Sequence, residues 1–183
     1  SAIRRACSQA DRALPTSAVV LGARATASSA LAALGELDIV TSTVAARRFG
    51  GPGSVVAASS RLGISIEQVL WSDRGAVLRA VSGADLVIST LPAGVADSLA
   101  EEMTVREGQV LLDVVYSPRE TALRSAFERN GGIVAEGTDM LIFQAAAQVQ
   151  LMTGRSPKTD VMRGALEAEL ARRARPSGGG AAS

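Results

Sequence analysis

Histidine is absent from the 183 residues, and cysteine occurs once, at Cys7. Without histidine, the chain cannot build a Ser-His-Asp triad or a histidine-ligated metal centre from its own residues. One cysteine makes no internal disulfide, and the N-terminal SAIRRACSQADR carries no apolar h-region, so no signal peptide is read there. Both features predict a reducing, cytoplasmic setting. Aromatic residues number five: Phe49, Trp71, Tyr116, Phe127 and Phe143. Of the 19 basic residues only Lys158 is lysine, and the formal net charge is +1. Balanced charge with so few stacking side chains excludes a nucleic-acid partner as the expectation. No stretch approaches the roughly 20 apolar residues of a membrane span, so no membrane partner is expected either.

What is present is a chain 47% apolar and 20% charged. That balance suits a globular protein large enough to bury a core, built here mainly from Ala, Val, Leu and Ile. The pattern predicts one domain over 1–175 and a flexible Gly/Ala/Ser tail over 176–183.

Along the chain, short apolar runs alternate with helical spacing. A polar helix is predicted over 2–13, with Ile3, Ala6, Ala10 and Leu14 on one side. The run Ala18-Val19-Val20-Leu21, stopped by Gly22, reads as a strand buried on both faces of a parallel sheet. Helical spacing follows over 26–37, with Thr26 as its expected N-cap. Further strands are predicted over 39–46, 64–70, 85–90, 109–114 and 133–135. The helices between them are expected over 54–62, 74–81, 95–103 and 121–130, and two more over 140–152 and 160–173. Gly50-Gly51-Pro52-Gly53 is a loop. Alternating strands and helices define βαβ units. The predicted fold is therefore α/β: a doubly wound, mostly parallel sheet (Rossmann-like) of about six strands, with helices on both faces.

In such sheets a ligand binds beyond the carboxyl ends of the strands, at the switch point. The first strand runs into Gly22-Ala23-Arg24-Ala25-Thr26-Ala27. Against the dinucleotide pattern G-x-G-x-x-G/A, the first Gly and the final Ala fit, while Arg24 stands at the middle glycine. Its side chain either obstructs the pyrophosphate or swings out to pair with a phosphate. After the second strand come Ala45-Ala46-Arg47-Arg48, with no carboxylate to hold a ribose 2′-hydroxyl. Two guanidinium groups there read either as solvated surface charge or as 2′-phosphate readers; the position, 25 residues after Gly22, favours the second. Asp113, Tyr116, Glu136, Asp139 and Gln144 fall near later strand ends, and no acid/base pair stands out among them. Asp113 is a candidate to orient a turn. Cys7, early in a helix, reads as inert.

The run Leu112-Asp113-Val114-Val115-Tyr116-Ser117-Pro118 is followed by Thr121-Ala122-Leu123. Then come Gly137-Thr138-Asp139-Met140-Leu141-Ile142-Phe143-Gln144-Ala145 and Thr153-Gly154. In order and spacing this resembles the C-terminal half of the shikimate dehydrogenase family. The likeness runs from about residue 3 to 170 and is denser after Asp85. It implies NADP over Gly22, Ala23, Arg24, Ala25 and Thr26, with its 2′-phosphate at Arg47 and Arg48. The nicotinamide end would lie near Val114 and the backbone of Gly137, and shikimate would touch Tyr116 and Gln144. It further implies that the full-length enzyme reduces 3-dehydroshikimate to shikimate with NADPH, in the route to chorismate and the aromatic amino acids. The sequence departs from the family at Arg24 and Thr26, where small residues are usual, and around Arg47, where Asn and Thr are lost. The family's catalytic lysine and aspartate sit in an N-terminal substrate domain with no counterpart here, and Lys158 lies far past that position. No catalytic residue and no metal ligand is therefore assigned. The chain is expected to be part of a longer protein or an isolated module, inactive alone, with a small-molecule substrate shared with that missing domain and a homodimer left open. Two alternatives stand beside this: a Rossmann-like regulatory module with lost or altered nucleotide binding, and a dehydrogenase for quinate or a related hydroxy acid. Tyr116 and Gln144 favour a dehydrogenase over a pure nucleotide sensor.

Overall fold

The computed structural model describes residues 1–51, 53–115 and 120–174. The chain divides into two compact units, Ser1–Gly137 and a second from Thr138 onward. The first holds a six-stranded sheet. Its strands are β1 (Ala18–Leu21), β2 (Thr41–Ala46), β3 (Ser65–Leu70), β4 (Leu86–Ser89), β5 (Val110–Asp113) and β6 (Ile133–Ala135). Every pairing is parallel and the order is β3-β2-β1-β4-β5-β6. The chain thus winds outward from β1 in both directions, with the switch between β1 and β4. The helices of this unit are α1 (Ala2–Gln9), α2 (Ala25–Gly35), α3 (Val55–Leu62), α4 (Arg74–Gly83), α5 (Asp97–Glu102) and α6 (Ala122–Arg129). The six-stranded, helix-flanked parallel sheet expected from the sequence is the one found.

Central strands β1, β4 and β5 are buried at all four of their positions, which explains their unbroken apolar runs. Alternation along them splits the core into two layers. On one face Val19, Leu21, Val87 and Leu111 pack with Val77 and Val81 of α4, Leu99 of α5 and Leu123 and Phe127 of α6. On the other face Val20, Val44 and Ile88 are equally buried, where α2 contributes Ala27, Leu31 and Leu34. Each of the Val, Leu, Ile and Phe side chains among these gains about 1.5–3 kcal/mol from burial. The edge strand β3, with the sequence SIEQVL, is exposed at most positions and accordingly more polar. Cys7 is buried in α1, and that burial pushes its thiol up, as suits an inert cysteine.

Element ends differ from the predicted ones for local reasons. Helix α1 stops at Gln9 rather than residue 13, because Asp11 adopts a left-handed φ of 51° and the Arg12 N–H bonds back to the Cys7 carbonyl. Strand β2 begins at Thr41 rather than 39, since Asp38 turns at φ 61° and the Ile39 N–H closes the end of α2 on the Leu34 carbonyl. Thr26 does not cap α2. Arg24 holds the N-cap position in an extended conformation, and the helix starts at Ala25.

The second unit contains α8 (Thr159–Ala174) and the body of α7, which spans Gly137–Thr153. Within it Asp139 of α7 is ion-paired with Arg163 of α8.

Candidate functional site

The site is built from the carboxyl ends of β1, β2, β3 and β4. The Gly22 N–H donates to the Ala45 carbonyl at 2.8 Å, and the Thr90 N–H and hydroxyl both donate to the Leu21 carbonyl at 2.9 Å. The end of β1 is thereby stitched between its two neighbours at the switch point. Gly22 turns the chain at φ +113°, and a Cβ there would stand 2.2 Å from Thr90 Oγ1. Only glycine meets both the dihedral and the contact. The chain then enters α2, whose cap position supplies no side-chain hydrogen bond to the first-turn N–H groups. Those donors, and the positive end of the helix dipole, favour an anion.

Over this turn opens a cleft of about 480 Å³, lined by Gly22, Ala23, Arg24, Thr26, Ala46, Arg47, Arg48, Trp71, Thr90, Leu91, Pro92 and Val95. Its size suits a small-molecule or cofactor site. Three of the lining residues are arginines and none is acidic. Arg24, Arg47 and Arg48 are exposed, and among the described residues none of the three has a carboxylate partner. Several arginines elsewhere are paired: Arg124 forks onto Glu136 at 2.8 and 3.1 Å, and Arg74 meets Glu102 at 2.8 Å. The cleft is therefore locally cationic in a chain that is nearly neutral overall. Arg24 holds a negative φ of −99°, open to any residue, and is exposed in the cleft wall.

The Gly50-to-Gly53 loop is tied to this region. Ser28 Oγ of α2 donates to the Gly53 carbonyl at 2.9 Å, and the Val55 N–H donates to the Ala23 carbonyl at 3.3 Å. The loop and the start of α3 thus brace the turn after β1.

The structure gathers Gly22, Ala23, Arg24, Thr26, Arg47 and Arg48 into one cleft; Ala25 opens α2 beside them, outside the lining. Val114 and Gly137 meet at the ends of β5 and β6. A Cβ on Gly137 would lie 2.8 Å from the Asp113 carbonyl oxygen and 3.7 Å from the Val114 carbonyl carbon. Tyr116, with Ser117 and Pro118, lies outside the described residues. Gln144 is exposed on α7. Asp113 does orient a turn: its carboxylate accepts from the Val115 N–H at 3.1 Å and from Thr121 Oγ1 at 2.8 Å, and Thr121 caps α6. Burial raises its carboxyl above the usual range, although the hydrogen bonds from Thr121, Val115 and Ser89 oppose the rise. Trp71, Thr90, Leu91, Pro92 and Val95 are cleft residues to which the sequence alone gave no role. Thr90 follows β4 beside Gly22, and Trp71 follows the edge strand β3, whose mixed sequence SIEQVL carries little apolar pattern.

Fold and cleft together define the Rossmann-like, doubly wound class. The residues 137–167 match the model of the shikimate 5′-dehydrogenase C-terminal domain. A shikimate dehydrogenase (NADP(+)) of Methylocella silvestris is 33% identical over 162 residues, covering 86% of this chain and 55% of the relative. One from Methanothermobacter thermautotrophicus is 36% identical over 97 residues, 50% of this chain and 34% of the relative. Among solved structures, the shikimate dehydrogenase of Mycobacterium tuberculosis superimposes with a TM-score of 0.71 at 36% identity, covering 80% of this chain and 55% of that one. The chain is related to the shikimate dehydrogenases through their C-terminal portion, and it spans between a third and about half the length of these relatives.

Proposed function

We propose that this chain is the NADP-binding domain of a shikimate dehydrogenase-like oxidoreductase. The observation that carries the reading is the cleft at the switch point: a glycine turn where a Cβ would collide with Thr90, three arginines and no carboxylate. Those residues fit NADP rather than NAD. The first turn of α2 and Arg24 would hold the pyrophosphate. Arg47 and Arg48, where an NAD site presents an acid, would hold the 2′-phosphate. Val114 and the backbone of Gly137, two strands away, would bound the nicotinamide end. NADPH supplies the hydride when bound. In the whole protein that hydride would reach the 3-keto group of 3-dehydroshikimate, with Tyr116 and Gln144 contacting the substrate. The groups that move the proton lie outside these 183 residues on this reading, which leaves the present chain the work of binding and orienting the cofactor, in a cytoplasmic enzyme. The exposure of Arg24 in the cleft wall, with no carboxylate partner among the described residues, supports pairing with phosphate over blocking it.

The test is the double variant Arg47→Ala/Arg48→Ala. Charge-assisted hydrogen bonds are worth about 1.5–3 kcal/mol each, so NADP affinity should fall about tenfold or more per arginine engaged. NAD affinity should stay unchanged. Equal losses for both dinucleotides would place the arginines away from the 2′-phosphate and remove the basis for choosing NADP.

A further inference from the structure

Strand β3 pairs with β2 in register up to Ala46 opposite Leu70, and the ladder continues one step: the Trp71 N–H donates to the Ala46 carbonyl at 2.9 Å. Arg47 and Trp71 therefore follow directly on the paired ends of neighbouring strands, which lie about 4.8 Å apart. Both line the cationic cleft. Trp71 is partly buried and packs against the core, which fixes its base and leaves the rest of the ring as cleft wall. It is the chain's single tryptophan and the one aromatic residue in the lining. Leu91, Pro92 and Val95 give the same wall aliphatic surface without a π-face.

We infer that Trp71 is a stacking platform for the purine base of the bound nucleotide, so that the adenosine 2′-phosphate end is the cofactor's principal anchor. This rests on the NADP reading above and deepens it. A nucleoside carries its 2′-phosphate and its base close together, and Arg47 and Trp71, which follow neighbouring strand ends, line the same cleft. The indole supplies a flat π-face for the base while the guanidinium groups take the phosphate. Base–aromatic stacking is sequence-tolerant but strong enough to detect by truncation. The site thereby recognises adenosine 2′,5′-bisphosphate as a ligand in its own right.

Because Trp71 is the sole tryptophan, its emission reports this position alone. Titration of the chain with NADP, adenosine 2′,5′-bisphosphate and nicotinamide mononucleotide, followed by fluorescence and in parallel by calorimetry, is the test. The first two should bind and quench the emission; the mononucleotide should do neither at the same concentration. Trp71→Ala should weaken NADP and the bisphosphate together by about tenfold, and Trp71→Phe, which keeps an aromatic face and the packing, should stay within about threefold of the parent. NADP binding by calorimetry with no quench, or with Trp71→Ala unaffected, overturns the platform and leaves the NADP reading standing. Failure of both NADP and the bisphosphate to bind the parent chain overturns both.

Discussion

Gly22 is the residue on which the cleft depends. Its φ of +113° and the 2.2 Å approach of Thr90 Oγ1 exclude any side chain. Gly22→Ala should cost about 1–3 kcal/mol, from a left-handed backbone that alanine resists and from displacement of the Thr90 hydroxyl off the Leu21 carbonyl. A urea midpoint lowered accordingly, with NADP affinity reduced in the still-folded fraction, is the expected outcome; a variant as stable as the parent would mean the turn relaxes freely. This glycine was legible from the sequence, since it stops an apolar run and opens the G-x-G-x-x-A pattern. Arg24 was half legible. Its position in the pattern was plain, but its place at the N-cap of α2, in the wall of the cleft, is encoded by no spacing rule. Trp71 went unread because a lone aromatic gains meaning only from the register that sets it beside Arg47.

At the scale of elements, legibility follows burial. β1 is apolar throughout, and β4 and β5 are apolar up to their last residues, Ser89 and Asp113, because helices cover both faces, so their runs stand out. β3 sits at the sheet edge, keeps Glu67 and Gln68 exposed, and gives only a weak signal. The opposite end of the sheet is held by Asp85, just before β4. Its carboxylate accepts from the Thr16 N–H and hydroxyl at 3.1 and 2.8 Å, from the Ser17 N–H at 3.2 Å and from Arg106 at 3.3 Å. Burial alone would raise this carboxyl, but the hydrogen bonds from Thr16, Ser17 and Arg106 outweigh it and bring it down to about 2. A carboxyl depressed in the folded state stabilises above its unfolded value of 3.8, and that contribution fades as pH falls from about 4 toward 2. Asp85→Asn should therefore flatten the decline of the urea midpoint between pH 5 and pH 2.5. An undiminished decline would assign the acid sensitivity to other groups.

For the molecule as a whole, the alternation of strands and helices was enough to give the sheet, its parallel sense and the end at which a ligand would sit. The division at Gly137 was not legible, because the helical spacing after β6 says nothing about which contacts α7 keeps. Nor did composition reveal the cationic cleft. A net charge of +1 hides it, since the acids that balance the arginines are placed elsewhere, on pairs such as Arg124–Glu136 and Arg74–Glu102. Function at this scale depends on charge placement rather than charge total.

The central claim is that this cleft selects a 2′-phosphorylated dinucleotide. Calorimetric titration of the 183-residue chain with NADP and, separately, with NAD tests it most directly. One charge-assisted contact to the extra phosphate is worth about 1.5 kcal/mol or more, so NADP should bind at least about tenfold more tightly than NAD. Equal affinities, tighter binding of NAD, or binding of neither would contradict the account.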